Sequence, residues 1–338
     1  MGIYVSDDQG SRQNWQGVEV GRRTPLTANA AFVNERQFSI QPVLPFRLDL
    51  TAWALRRRPG NAVDHWDGTA YQRVLMIEQG PVLVSVTQDG AKLDITVSGE
   101  QLGPSVQPTV RAALDQLLGL SVRLDRFYAF AERESRLNRL VVKFRGLKPP
   151  RFPTLFEALA NGITCQQLSL TVGIILLNRL AERFGPGFDR RRHAFPRPED
   201  LCEVQSTELR PLGYSVNKGR ALVELARGVT SRQVDLASLV ELDDQDAVAR
   251  LRQLWGIGRW TSEYVLLRGL GRIHVFPGDD VGARKSLERW LRLKKPRDYQ
   301  GVRHVLTRWD PFGGLLYFHL LLDRLNDAGY LSECQSVS

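Results

Sequence analysis

Cysteine is scarce. Cys165, Cys202 and Cys334 are the only three in 338 residues, far apart and never in a Cys-x-x-Cys pair. That excludes a disulfide scaffold, a zinc finger and a four-cysteine iron–sulfur cluster, and it makes a reducing cytoplasm the expected setting. No apolar run reaches the roughly 18 residues that a membrane-spanning helix needs, so no membrane partner is expected. The opening residues, MGIYVSDDQG, have neither a basic n-region nor an apolar h-region, and no secretory signal is expected. Gly2 followed by Ser6 fits the bare myristoylation pattern, without the polybasic patch or nearby cysteine of a second anchor. The five histidines, His65, His193, His274, His304 and His319, show no metal-ligand spacing, so no metal is expected. Lysine is rare too, with only seven among 46 basic residues.

What is present in excess is arginine charge. The net charge is +9. It divides as +4 up to Pro150 and +5 beyond it, so it is spread over the fold rather than held in a tail. A basic globular surface favours polyanions, nucleic acid above all.

The length allows about two domains of ~100–200 residues each. Residues 1–35 are polar and aperiodic and read as a loose leader. From Phe38 to about Ser98 the period is that of strands. Val82, Val84 and Val86 alternate with other residues, as do Leu93, Ile95 and Val97, with a hairpin turn expected at Gln88-Asp89-Gly90. Residues 105–119 have helical spacing. Beyond Lys148-Pro149-Pro150 long helical patterns alternate with Gly- and Pro-containing loops, at about 199–209, 217–230, 244–254, 259–270, 281–293, 299–306 and 312–328. The expected architecture is α+β: a strand-rich domain over 36–148, a helical domain over 149–328 and a frayed tail over 329–338.

The chemistry concentrates in Leu254–Leu287. Gly256-Ile257-Gly258 lies between two helical patterns. Its glycines permit a tight turn with unobstructed backbone N–H groups at a helix start, an anion site suited to a DNA phosphate. Ile257 would plug the turn into the core, and Thr261 would add a hydroxyl to the first helical turn. Twenty residues beyond Trp260 stands Asp280, in Phe276-Pro277-Gly278-Asp279-Asp280. A helix N-terminus complements a carboxylate there, whether Asp280 is a cap alone or a catalyst as well. Trp260 and Tyr264, four apart, share one helix face.

Leu-x-Gly-Ile-Gly-x-x-Thr followed by a Gly/Pro-rich loop and an aspartate resembles the HhH-GPD superfamily of DNA base-excision glycosylases. Phe152–Phe184, with its Gln-Gln-hydrophobe-Ser, and Phe195–Val229 are similar to that superfamily's core helices, so the resemblance covers about 150–325. Gly-Ile-Gly-Arg-Trp-Thr-x-x-Tyr, Pro-x-Asp-Asp and the preceding strand-rich domain resemble its 3-methyladenine glycosylase II group. Two positions depart from that pattern, Trp255 for the hairpin's usual proline and Phe312 for a usual tryptophan.

The resemblance implies hydrolysis of the N-glycosidic bond of alkylated bases in double-stranded DNA, by a monomer. Asp280 would stabilise the sugar cation and orient water. Trp260, Tyr264 and Phe312 would wall a pocket for cationic bases. Gln167, with Gln166 beside it, would wedge into the gap left by the extruded base. Gly256, Ile257, Gly258 and Thr261 would hold phosphate. Bifunctional members carry a nucleophilic lysine where Trp260 stands, so a monofunctional enzyme is expected. No cofactor is implied beyond a structural monovalent cation at the hairpin. The rivals are hypoxanthine or uracil excision on the same scaffold, and a catalytically silent DNA-binding module.

Overall fold

The computed structural model describes residues 34–331. Residues 1–33, with the Gly2/Ser6 pattern and most of the expected leader, lie outside them, as do residues 332–338. The expected leader ends earlier than residue 35, because Asn34 and Glu35 already belong to the first strand. Five strands form one antiparallel sheet: β1 (Asn34–Ile40), β2 (His65–Trp66), β3 (Ala70–Ile77), β4 (Gly80–Asp89) and β5 (Lys92–Gly99), in the order β1-β5-β4-β3-β2. The valines of β4 and the Leu93, Ile95 and Val97 set of β5 all point into the core, with Val84 opposite Val97 and Val86 opposite Ile95. Each such side chain contributes about 1.5–3 kcal/mol by leaving water. Asp89 pairs with Lys92 around a two-residue turn in which Gly90 takes φ 54.

One helix interrupts the stretch expected to be strands. This α1 (Leu48–Arg56) is buried along nearly its whole length. Leu48, Leu50, Ala52 and Ala54 also fit a period of two. Asp49 in the first turn and Arg56 in the last complement the helix dipole, and packing on both sides removes the polar face that marks a surface helix. Three more helices follow the sheet: α2 (Val106–Leu118), α3 (Asp125–Ala131) and α4 (Ser135–Lys143).

The helical part begins with α5 (Leu155–Cys165) and α6 (Leu170–Phe184), capped by Thr154 and Ser169. The helix expected over 199–209 is broken into α7 (Pro198–Leu201) and a 3-10 turn at Ser206–Leu209. Then come α8 (Val216–Thr230), α9 (Asp244–Leu251), α10 (Arg259–Arg268), α11 (Val281–Leu291), α12 (Tyr299–Leu306) and α13 (Gly313–Asp327). The described part of the expected tail is packed: Tyr330 stacks on Trp53 at 5.6 Å, and Leu331 is buried.

The hydrophobic cores do not follow the 36–148 and 149–328 division in sequence. One unites the sheet and α1–α4 with α11–α13; the other is built mainly from α5–α10. Arg73 of β3 ties the sheet to α5, pairing with Asp64 and Glu157 at 2.6 Å each. All three side chains are buried, so removing one partner would cost about 3–5 kcal/mol.

Candidate active site

The turn from α9 to α10 is a helix-hairpin-helix. Gly256 takes φ 78, which disfavours any side chain, and a Cβ there would meet Ala221 Cβ at 3.0 Å. Ile257 is buried as the plug. Gly258 is the N-cap of α10, is exposed, and would present a Cβ to open space. The first N–H groups of α10 have no intrahelical acceptor. Thr261 does not join them. It is 1% exposed, and its Oγ1 accepts Gln166 Nε2 at 2.9 Å.

Gln166 therefore has a different place from the expected wedge. Its Nε2 also donates to Gly256 O at 2.8 Å, clamping the hairpin from the turn between α5 and α6. Gln167, next to it, is exposed with φ 54, a left-handed conformation that is strained for a non-glycine residue. The two adjacent glutamines thus point opposite ways, one inward and one out. Within the hairpin Leu254 O accepts Ile257 N–H at 3.2 Å, and Gly256 O accepts Gln166 Nε2. The hairpin holds its shape through these bonds.

Asp280 is the N-cap of α11. Its Oδ1 accepts Ala283 N–H at 2.8 Å and its Oδ2 accepts the Tyr317 hydroxyl at 3.2 Å. The loop carrying it is pinned to α10 from two sides. Asp279 accepts Arg259 Nε at 2.6 Å, and Glu263 accepts Gly278 N–H at 3.1 Å. Asp279 is thereby a loop-orienting neighbour. Burial pushes the Tyr317 phenol well up, and the negative charge of Asp280 adds to the push. Tyr317 is thus the protonated donor to that carboxylate.

Trp260 and Tyr264 stack on one another, centroids 5.4 Å apart. The Trp260 indole N–H is buried without an acceptor among the described residues. Burial pushes the Tyr264 phenol up, Arg57 draws it down, and Asp280 raises it. Phe312 is not brought to this wall. Its ring packs on Phe127 at 5.4 Å and Phe130 at 5.1 Å, in the core beside α3.

The wall is completed by residues that motif reading missed. Arg57, the left-handed C-cap of α1 at φ 63, is buried and donates to Tyr264 Oη at 2.8 Å and Asn161 Oδ1 at 2.7 Å. No carboxylate pairs with it among the described residues. Burial works against its charge, and the surrounding Tyr264, Cys165 and Tyr317 work for it. The Arg56-Arg57-Arg58-Pro59-Gly60 run is a helix-end signal, but nothing local in it distinguishes an inward arginine from a solvated one. A cavity of about 520 Å³ opens elsewhere, among β3, α2 and the start of α5, and includes none of these residues.

The sequence model of the HhH-GPD superfamily base excision DNA repair protein matches residues 161–311. DNA-3-methyladenine glycosylase of Bacillus subtilis is 28% identical over 200 residues, covering 58% of this chain and 66% of that protein. DNA-3-methyladenine glycosylase 1 of Schizosaccharomyces pombe is 29% identical over 165 residues, covering 48% and 70%. Among solved structures, the 3-methyladenine DNA-glycosylase from Archaeoglobus fulgidus aligns with a TM-score of 0.74 at 25% identity, covering 86% of this chain and 99% of that one.

Proposed function

The chain is a member of the HhH-GPD superfamily of base excision DNA repair proteins through its residues 161–311, and on that premise we propose that it excises alkylated bases from duplex DNA by hydrolysing the N-glycosidic bond. The observation that carries this reading is Asp280, a carboxylate at a helix start beside an aromatic wall and a hairpin with open backbone donors. A module that only binds a polyanion has no use for such a carboxylate.

In this mechanism the hairpin anchors the backbone of the duplex through Gly256 and Gly258, and Gln167 fills the gap as the damaged nucleotide swings out. Extrusion costs a few kcal/mol, least for a damaged base. The base enters against Trp260 and Tyr264. As the bond from C1′ to the base nitrogen breaks, its electron pair leaves with the base. The sugar becomes an oxocarbenium ion, which the Asp280 carboxylate stabilises. Water then adds to C1′, and its proton passes to Asp280 or to solvent. Cationic alkylpurines leave as neutral bases, so this route needs no general acid.

Trp260 holds the position that a Schiff-base lysine takes in bifunctional relatives, which supports a monofunctional enzyme. The same reading takes the working protein as a monomer on duplex DNA in the cytoplasm, at the nucleoid if bacterial, with no cofactor beyond a structural monovalent cation at the hairpin. A second reading, excision of a neutral base such as hypoxanthine, has Arg57 in its favour. A desolvated cation behind Tyr264 opposes a positively charged base and stabilises one that leaves as an anion. Base release from methylated, inosine-containing and uracil-containing duplexes, run side by side, tests both. Release from methylated DNA supports the first, release from inosine alone the second, and release from none rejects a glycosylase.

A further inference from the structure

Gly282, in the first turn of α11, has an arginine where a side chain would be. A Cβ there would fall 2.5 Å from Arg324 Nη1 and 3.2 Å from Asp280 Oδ1. Arg324 and Asp280 thus lie on either side of one missing methyl group. Arg324 comes from α13 and is half-buried. Its Nε is buried without an acceptor, and among the described residues it makes no side-chain hydrogen bond or salt bridge. A cation at the start of a helix also opposes the dipole. No partner among the described residues accounts for its position.

Arg58 stands with it. Its Nε donates to Thr171 Oγ1 at 3.2 Å and its Nη1 to Arg57 O at 3.0 Å, and no carboxylate pairs with it among the described residues. Burial, and the positive charge of Arg324 after it, hold the Arg58 guanidinium below its ordinary value. Two arginines without a carboxylate partner among the described residues thus flank the site: Arg324 of α13 lies across Gly282 from Asp280, and Arg58, at the end of α1 with Thr171 of α6 alongside, follows the Arg57 that donates to Tyr264. Such an arrangement is favourable only when an anion arrives.

We propose that Arg324 and Arg58 bind the phosphodiester flanking the extruded nucleotide. The proposal rests on the glycosylase reading and adds to it a phosphate site separate from the hairpin. Extrusion turns the nucleotide about its own backbone, so the phosphates beside the target sugar must follow it toward Asp280. Two negative charges then approach each other. An arginine between them offers charge-assisted hydrogen bonds to the phosphate and offsets the repulsion from the carboxylate. The hairpin grips any duplex, whereas this pair engages only one whose nucleotide has left the stack.

The test is binding at fixed salt to duplexes bearing a tetrahydrofuran abasic analogue, and to the same duplexes with the flanking phosphates replaced singly by methylphosphonate. In the wild type, one neutralised phosphate should weaken binding about tenfold, the scale of one charge-assisted contact. Arg324→Gln should lose about as much on the charged duplex, and the methylphosphonate should then cost little more. Affinity for undamaged duplex should stay unchanged. Arg58→Gln, on a more open side chain, should show the same pattern at smaller size and guards against a folding defect in the first variant. Equal sensitivity of wild type and both variants to every methylphosphonate would overturn the proposal. So would a change in base preference with abasic-DNA affinity intact. A wild type that binds abasic DNA but releases no base would reject the glycosylase reading alone, since this test reads binding only.

Discussion

The Tyr317 hydroxyl donates a hydrogen bond to Asp280 Oδ2 at 3.2 Å while Ala283 N–H donates to Oδ1, so the two carboxylate oxygens are held by different helices. Tyr317 sits on α13, between Phe276 and Phe318 at 5.7 and 5.6 Å, and its ring has little freedom. The carboxylate plane is fixed from both ends before any sugar arrives, which is the preorganisation that electrostatic catalysis needs.

Changing Asp280 to Asn should abolish base release yet leave DNA binding equal or tighter, because an anion near phosphate is gone. Tyr317→Phe keeps the ring and removes only the donor. Single-turnover base release should fall about 10–100-fold, the worth of one hydrogen bond to a charged group, with abasic-DNA affinity unchanged. Undiminished release by D280N would remove Asp280 from the chemistry.

Borohydride should trap no covalent protein–DNA adduct. The lysine position is Trp260. Lys218, whose charge acts on Cys165 beside the site, has its amine tied to Thr164 O at 2.9 Å and Gln166 O at 2.6 Å. Two of its protons are engaged in holding the end of α5. Efficient trapping, located by peptide mapping, would show that an amine reaches C1′ and would end the monofunctional reading.

The hairpin and Asp280 were legible because both are local: a turn needing glycine and a cap needing a short carboxylate leave marks within a few residues. The distant partners of Asp280 and Tyr264 were not. Tyr317 lies 37 residues downstream and Arg57 lies 207 residues before Tyr264, and only tertiary packing brings them in. Phe312 misled for the same reason. Its neighbourhood is set by α3, through Phe127 and Phe130, which the residues around Phe312 do not reveal. Gln166 and Gln167 could not be told apart by type. The left-handed backbone at Gln167 sends one outward and leaves the other to clamp the hairpin.

That clamp separates three variants. Gly256→Ala forces a side chain onto φ 78 and against Ala221, so it should cost about 1–3 kcal/mol of stability as well as DNA affinity. Gly258→Val has extended backbone and open space, so Tm should hold. Binding should then weaken alike for damaged and undamaged duplex, since phosphate contacts carry no base information. Gln167→Ala should leave undamaged-duplex binding intact and slow base release by weakening extrusion. Measured at one salt concentration, loss of selectivity in G258V with normal plain-duplex affinity would mean that the hairpin is not the anchor.

His319 predicts an acid-sensitive fold. It is 1% exposed on α13, its ring 5.2 Å from that of Phe127 and 6.5 Å from that of Phe144. Nδ1 donates to Leu315 O at 2.8 Å, and Nε2 has no partner among the described residues. A second proton would have to sit on that buried nitrogen, so burial lowers the imidazole to about 4. The unfolded chain protonates near 6.5. Between these values the unfolded state binds a proton that the folded state refuses, so stability falls as pH drops from 6.5 to 4. The loss reaches about 3 kcal/mol and is complete below the folded value; above 6.5 the residue contributes no pH dependence. Phe at this position keeps the aromatic packing and cannot titrate. Urea unfolding at pH 7 and pH 4.5 should show wild type losing about 2–3 kcal/mol more than His319→Phe on acidification. Equal losses in the two proteins would mean that His319 takes up its proton without unfolding the core around it.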